Sequence, residues 1–337
     1  MATVCLALVC LAALPAVAQG YHVIGKIEIG GEGGWDYLYV DAAARRLYVS
    51  HATRVVVVDI DSQKVVGEIP DTPGVHGIAV AATLGKGYTS NGRDGTVTVF
   101  DPKTLKASGT IKVGENPDCI LYEASTKRVF AFNRRGHSAS VIDAVAGTVV
   151  ATIELEGNPE FAATDDKGTV WVNLDNKSEI VALDAAKATI KARWSIKEKC
   201  EGGTGLAFDR KNRRLFAVCG GSKTMGIVDA DSGKVAASVP IGSGPDAAGF
   251  DPGTGLAFSS NGEGNLTVVQ RDGPDQYSVA ETVPTQRGAR TMALDAKTHK
   301  VFLSAAEFEP APAPTADQPR PRPKMVPNSF LILVVGR

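Results

Sequence analysis

Short apolar runs recur along the chain after residue 20, and polar turns separate them. The runs at 55–59, 96–100 and 266–269 are rich in Val and Thr, a composition that favours pleated, half-buried strands. The connections carry turn residues, as at Asp101-Pro102 and Asn261-Gly262. Because no stretch after residue 20 shows sustained helical periodicity, the pattern predicts an all-β fold.

The runs form copies of one unit about 42 residues long. The clearest copy contains four strands, at residues 77–81, 86–91, 96–101 and 107–113. The third strand of most copies ends in Asp, and these residues are Asp59, Asp101, Asp143, Asp184 and Asp229. Gln270 takes the same place in the sixth copy. Four-stranded units with this period are typical of β-propeller blades.

The two ends of the repeat give the number of blades. The first strands of the copies begin near Trp35, Gly77, Asp118, Phe161, Thr204, Ala247 and Thr291, which makes seven. The seventh copy has strands at 291–295, 300–305 and 330–335 and lacks a fourth, whereas a spare strand lies at about 23–29. We therefore predict a seven-bladed β-propeller of four-stranded blades, closed by pairing the N-terminal strand with the last blade. An open β-sandwich explains neither the seven copies nor the spare strand.

The N-terminus has the pattern of a secretory signal. Residues 4–18 are nearly all apolar or small and end in Ala16-Val17-Ala18, an A-x-A cleavage pattern. This run is too short for a transmembrane helix. We predict a signal peptide at 1–18, one propeller domain at 19–337, no transmembrane segment in the mature chain, and a periplasmic or secreted location.

Charge and cysteines restrict the partners and the compartment. The formal net charge is −1 and no basic stripe stands out, so we expect no nucleic-acid partner; we also expect a monomer. Cys200 leads into the fifth blade and Cys219 ends its second strand, on the same face. They predict a disulfide in an oxidising compartment, and two free buried thiols are the alternative. Cys119 is expected to be a small core residue.

Polar side chains collect on one face of the predicted ring. The loops that lead into the inner strands and those that leave the second strands emerge at the same end of the central channel, which we call the mouth. The candidate ligand-binding residues at the mouth are Asp36, His51, His76, Asn91, Asp118, Asn133, Glu160, Asp246, Asn261 and Arg290.

These side chains fit several chemistries. Their carboxylate and amide oxygens suit a hard cation such as calcium, and Arg290 suits a carboxylate or phosphate. His51 and His76 suit a transition metal or haem iron, or the role of a base. A structural alternative is that Asp at a strand start caps backbone N–H groups, and this is favoured for Asp118 and Asp246. Most inner strands begin with an acidic residue at this position. His76 and Arg290 depart from that pattern and are the stronger functional candidates.

A Pro-rich insertion at about 307–328 interrupts the seventh blade after its second strand, on the mouth side. It contains Ala-Pro repeats and the run Pro319-Arg320-Pro321-Arg322-Pro323-Lys324, which favours extended polyproline geometry. A semi-rigid arm with three positive charges would face the acidic mouth and cover the channel or contact a partner. The alternative is that the insertion is a flexible, solvated loop without a binding role.

The second strands share a short sequence motif. The common catalytic and cofactor motifs G-x-S-x-G, H-E-x-x-H, the P-loop and C-x-x-C-H are missing. The copies of the shared motif are Tyr48-Val49-Ser50-His51, Tyr88-Thr89-Ser90-Asn91, Trp171-Val172-Asn173-Leu174 and Phe258-Ser259-Ser260-Asn261. With them the chain resembles the YncE-like, YVTN-repeat seven-bladed propellers, a WD40-like architecture, over nearly the whole mature length. The resemblance implies an exported protein in a group that includes haem d1 domains, the quinoprotein amine dehydrogenase chain and surface-layer proteins. It implies no particular catalytic residue.

Three functions stand as hypotheses. The regular repeat, the polar mouth and the missing motifs favour an exported scaffold without catalysis that binds a protein or a small molecule. A metal-dependent enzyme similar to lactonase or lyase propellers would draw ligands from Asp36, His51, His76, Asn133 and Glu160. A haem d1-like redox propeller would use His51 or His76 as axial ligand. The residues alone assign no cofactor and no metal.

Overall fold

The structure, a computed structural model, describes residues 20–313, 321 and 323–337. It contains seven four-stranded antiparallel sheets, and the inner strands of neighbouring sheets contact one another all the way round. The predicted seven-bladed β-propeller is therefore confirmed. The predicted signal peptide at 1–18 lies outside the described residues, and so do Arg320 and Arg322 of the insertion.

Each blade places its strands in order from the channel outward. The inner strands are Trp35–Asp41, Val75–Ala81, Pro117–Glu123, Pro159–Thr164, Gly203–Asp209, Pro245–Asp251 and Met292–Asp295. The second strands are Arg46–His51, Lys86–Asn91, Arg128–Asn133, Thr169–Leu174, Arg214–Cys219, Leu256–Asn261 and Lys300–Ala305. The third strands are Arg54–Asp59, Thr96–Phe100, Ser138–Asp143, Glu179–Asp184, Thr224–Asp229, Asn265–Gly273 and Leu331–Gly336. The outer strands are Lys64–Ile69, Ala107–Lys112, Thr148–Glu154, Thr189–Ser195, Val235–Pro240, Gln276–Pro284 and, from the N-terminus, His22–Glu28; one short 3-10 helix covers Ala82–Leu84.

Stacking of the blades explains why many strands are apolar at successive positions. In the third strand of blade one, Val55 and Val57 pack with blade two, whereas Val56 and Val58 pack with blade seven. Every junction between adjacent blades has its own hydrophobic cluster of this kind. Because side chains alternate along a strand, a strand between two clusters is buried on both faces, not on one as its composition suggested.

The ring closes through strands from opposite ends of the chain, as predicted. His22–Glu28 pairs antiparallel with Leu331–Gly336, and Ile27 lies opposite Ile332. The junction between blades one and seven is also tied by charge, because the guanidinium of Arg45 lies 2.8 Å from the fully buried carboxylate of Asp295.

The recurrent Asp residues at the ends of the third strands fix tight turns. The carboxylate of Asp101 accepts hydrogen bonds from the N–H groups of Lys103 (2.7 Å) and Thr104 (3.0 Å). Equivalent bonds are made by Asp59, Asp143, Asp184 and Asp229. In blade six, where Gln270 replaces the Asp, the strand continues to Gly273. The recurrence therefore marks turn geometry.

Cys200 and Cys219 are bonded to each other, with their Cα atoms 5.3 Å apart. Cys119 is a free, buried thiol between blades three and four. Within the described ranges, no helix is long and apolar enough to cross a membrane.

Candidate functional site

Three ionisable side chains meet at the mouth, each from the start of a different inner strand. Asp36, His76 and Asp118 belong to blades one, two and three. The Nδ1 atom of His76 lies 2.5 Å from Oδ2 of Asp36, a hydrogen-bond distance, and 3.9 Å from Oδ1 of Asp118. One ligating atom from each residue lies within 4.8 Å of the others. The described part of the chain contains no second set of three such groups.

Further charges surround this cluster. Arg290 approaches the carboxylate of Asp246, with Nε 3.7 Å from Oδ2. On the other side, Arg134 donates hydrogen bonds to Glu160 and, at 2.6 Å, to Asp175. Arg134 was not singled out from the sequence, because it lies in a turn with no recurrent feature. The mouth thus combines carboxylates from blades one, three, four and six with two guanidinium groups.

Burial raises the pKa of two carboxyls at the mouth, those of Asp118 and Asp246. It raises the pKa of Asp118 to about 6, and the charge of Asp36 adds to this shift. Burial also raises the pKa of Asp246 to about 7, although the charge of Arg290 opposes it. Burial disfavours the charged form of His76, but the Asp36 hydrogen bond and the charge of Asp118 outweigh it and raise the pKa.

Asp118 and Asp246 do not cap the backbone. Among the described residues, neither carboxylate accepts a backbone N–H, and Oδ1 of Asp118 and Oδ2 of Asp246 are buried without any hydrogen-bond partner. Within the described residues, the backbone cap expected of these two carboxylates is therefore not formed. A buried polar atom without a hydrogen bond costs free energy, and the charges of Arg290, 3.7 Å from Asp246, and His76, 3.9 Å from Asp118, offset only part of it.

The channel beneath the mouth is mostly apolar. Tyr37 of blade one and Phe161 of blade four meet across it, with ring centroids 4.3 Å apart. The two rings also line a cavity of about 340 Å³, together with side chains such as Val80, Cys119 and Tyr122.

His51 does not join the cluster. It is fully buried between blades seven and one, where its ring stacks on Phe330 at 4.5 Å. Burial and the charge of Arg54 lower its pKa to about 4. The expectation that His51 and His76 act together as ligands therefore has no geometric basis.

The asparagines expected at the mouth are fully buried in hairpins. Asn91 Nδ2 donates to the hydroxyl of Thr98 in the third strand, at 2.8 Å. The equivalent pairs are Asn133 with Ser140 (3.0 Å) and Asn261 with Thr267 (2.9 Å). Their amides tie second strand to third.

Sequence reasoning missed the serine that precedes two of these asparagines. Ser90 accepts the N–H of Gly77 at 2.8 Å and donates to the carbonyl of Asp118 in the next blade. Ser260 bonds the carbonyl of Arg290 in the same way. These hydroxyls hold the starts of neighbouring inner strands together and so position the mouth. The recurrence of Ser within the second-strand motif was the available signal.

The base of the Pro-rich insertion lies at the mouth, on the side where it was expected. The N–H of Glu309 donates to the carbonyl of Lys324 at 2.8 Å, which pairs the two ends of the insertion. Just before this pair, the ring of Phe308 lies 6.1 Å from that of Trp35, the residue before Asp36. Residues 314–320 and 322 lie outside the described ranges.

Comparison with known proteins identifies the fold. No family model and no curated protein sequence matches the chain. Among solved structures, a chain of the mitotic checkpoint complex has a TM-score of 0.76 at 13% identity, covering 100% of this chain and 99% of that one. The structure of U3-55K has a TM-score of 0.77 at 8% identity (93% and 99% covered), and the RRP9 WD40 repeats have 0.76 at 8% (93% and 98%). At such identities the likeness shows a seven-bladed β-propeller with WD40-repeat structural neighbours.

Proposed function

We propose that the protein is an exported, monomeric YncE-like, YVTN-repeat propeller that acts as a binding scaffold through its mouth. The observation that carries this proposal is the pair of buried carboxylate oxygens on Asp118 and Asp246 that have no hydrogen-bond partner among the described residues. Both groups lie in inner strands, and the desolvation cost of their buried oxygens favours a bound positively charged group, such as an ammonium group or a metal ion.

The family assignment and the location have separate support. The motif in the second strands agrees with the YVTN pattern. Its Tyr residues pack in the core, and its Ser and Asn residues make hydrogen bonds between strands. The Cys200–Cys219 bond supports export, since disulfides persist mainly in oxidising compartments. Cell fractionation with a C-terminal tag tests this location, and retention in the cytoplasm would contradict it.

Native mass spectrometry of protein purified from its own host tests the binding role. The wild type is expected to carry a ligand that Asp118→Asn and Asp246→Asn reduce. Asp272→Asn, which changes an exposed carboxylate far along the hairpin of blade six, serves as the control. A ligand retained equally by all variants would place binding elsewhere.

A metal-dependent enzyme remains the second candidate function because Asp36, His76 and Asp118 converge at the mouth. It differs from the first by turnover: a lactone or lyase substrate screen with added divalent metal should show activity that His76→Ala abolishes. The haem hypothesis has less support, because His51 is fully buried and stacked on Phe330.

A further inference from the structure

We propose that Asp36, His76 and Asp118 bind one divalent transition-metal ion, with Zn²⁺ or Mn²⁺ as the preferred ions. This inference rests on the proposed function, since it names the ligand class of the same mouth. The three donors come from three blades, and one atom of each lies within 4.8 Å of the others.

Asp118 supplies the observation that points to a ligand. Its side chain is only 9% exposed, and Oδ1 has no hydrogen-bond partner among the described residues. This atom lies 3.9 Å from Nδ1 of His76, too far for a hydrogen bond and close to the separation of two ligands of one ion with metal–ligand bonds of about 2 Å. A metal ion between them would satisfy the buried oxygen.

The donor set selects the class of ion. Imidazole nitrogen together with carboxylate oxygen suits Zn²⁺ and Mn²⁺, whereas Ca²⁺ takes about six to eight oxygen ligands. Three protein ligands leave at least one coordination position free. His76 and Asp36 are 29% and 24% exposed, so this position opens to the mouth and admits water or a ligand atom.

Gly92 gives the His76 ring its space. A Cβ atom at this position would lie 2.6 Å from Nε2 of His76 and 2.5 Å from the amide of Asn116. Any side chain at 92 therefore displaces the imidazole, whose Nδ1 faces the two carboxylates. On metal binding, Nδ1 exchanges its hydrogen bond with Asp36 for the metal, and any proton it carries goes to solvent.

His299 offers a matched control. Its Nδ1 lies 2.7 Å from Oδ2 of Asp251, so it too is a His–carboxylate pair with a buried Asp. This pair lies at the opposite end of the inner strands and has no third donor among the residues described. It should bind metal far more weakly than the mouth.

Isothermal titration of chelator-treated protein with ZnCl₂, MnCl₂ and CaCl₂ tests the site. The wild type and His299→Ala should bind one equivalent of Zn²⁺ or Mn²⁺ in preference to Ca²⁺. His76→Ala, Asp118→Asn and Gly92→Ala should each weaken binding by at least about tenfold. Thermal unfolding supplies a second readout, because metal should raise the melting temperature of the wild type but not of His76→Ala.

Circular dichroism shows whether each variant is folded, and His76→Gln replaces His76→Ala if the latter is not. Binding that survives in folded His76 and Asp118 variants, or that His299→Ala alone removes, would overturn the site. Absence of Zn²⁺ and Mn²⁺ binding to the wild type would also overturn it. The scaffold proposal would then still stand if native mass spectrometry finds a ligand that depends on Asp246.

Discussion

Asp246 permits a quantitative test of whether the mouth holds an uncompensated charge. Its side chain is 14% exposed, and Arg290 at 3.7 Å is too far for a hydrogen bond. Burial raises its pKa from 3.8 to about 7, against the opposing charge of Arg290 and with the help of Asp36 and Asp118. Asp246→Asn keeps the shape of the side chain and removes the charge.

The raised pKa of Asp246 gives the expected change in the free energy of unfolding. A rise of about three pKa units at roughly 1.4 kcal/mol each gives roughly 4 kcal/mol. Between about pH 4 and pH 7 the folded protein holds a proton at Asp246 that the unfolded chain releases, so the stability of the wild type falls as the pH rises. Above pH 7 the loss of stability caused by ionising Asp246 is complete. Asn does not titrate, so the variant lacks this decline.

Urea unfolding at pH 4, 6 and 8 is the assay. The free energy of unfolding of Asp246→Asn, minus that of the wild type, should increase by up to roughly 4 kcal/mol between pH 4 and pH 8. Asp272→Asn should show no comparable increase, because its carboxylate is exposed. A difference between Asp246→Asn and wild type that stays constant with pH would refute the reasoning.

Three further predictions concern the frame that holds the mouth. Ser90→Ala removes a buried hydroxyl that accepts the N–H of Gly77 in blade two and donates to the carbonyl of Asp118 in blade three, so denaturant titration should show a loss of roughly 1–3 kcal/mol; an unchanged midpoint would argue against this bridge. Peptide mapping of unreduced protein should show Cys200 linked to Cys219, and free thiols at both positions would contradict it. Arg45→Ala leaves Asp295 buried without its cation and should cost roughly 3 kcal/mol at pH 7. Burial opposes ionisation of Asp295, but hydrogen bonds, including that from Arg45, outweigh it and lower its pKa. The stability from this ion pair is therefore present above about pH 4 and is lost as the pH falls further. If the unfolding free energies of wild type and Arg45→Ala stay parallel in acid, the ion pair does not contribute in this way.

The site could be predicted only in part. The start of each inner strand was a correct place to look for Asp36, His76 and Asp118, because these positions share one end of the blades. Asn91 was expected at the mouth, but it is fully buried and its amide donates to Thr98, because its exposure depends on hairpin packing. Composition near a strand end does not reveal which way a side chain turns.

The amino-acid sequence by itself determined the blades, their number and the closure of the ring. Strand pairing within a blade joins neighbours in the chain, so alternation and turn residues specify it locally. The spare strand near residue 23 and the incomplete seventh copy then left one way to pair both edges.

Only the tertiary structure decided which polar residues meet. His51 and His76 both lie at the same end of their blades, but His51 ends a second strand, one position farther from the channel, and is enclosed by Phe330. The starts of inner strands converge because the ring brings them to a common axis, and this places Asp118 beside His76 across 42 residues of chain. Distance from that axis is a property of the closed ring, and no local pattern contains it.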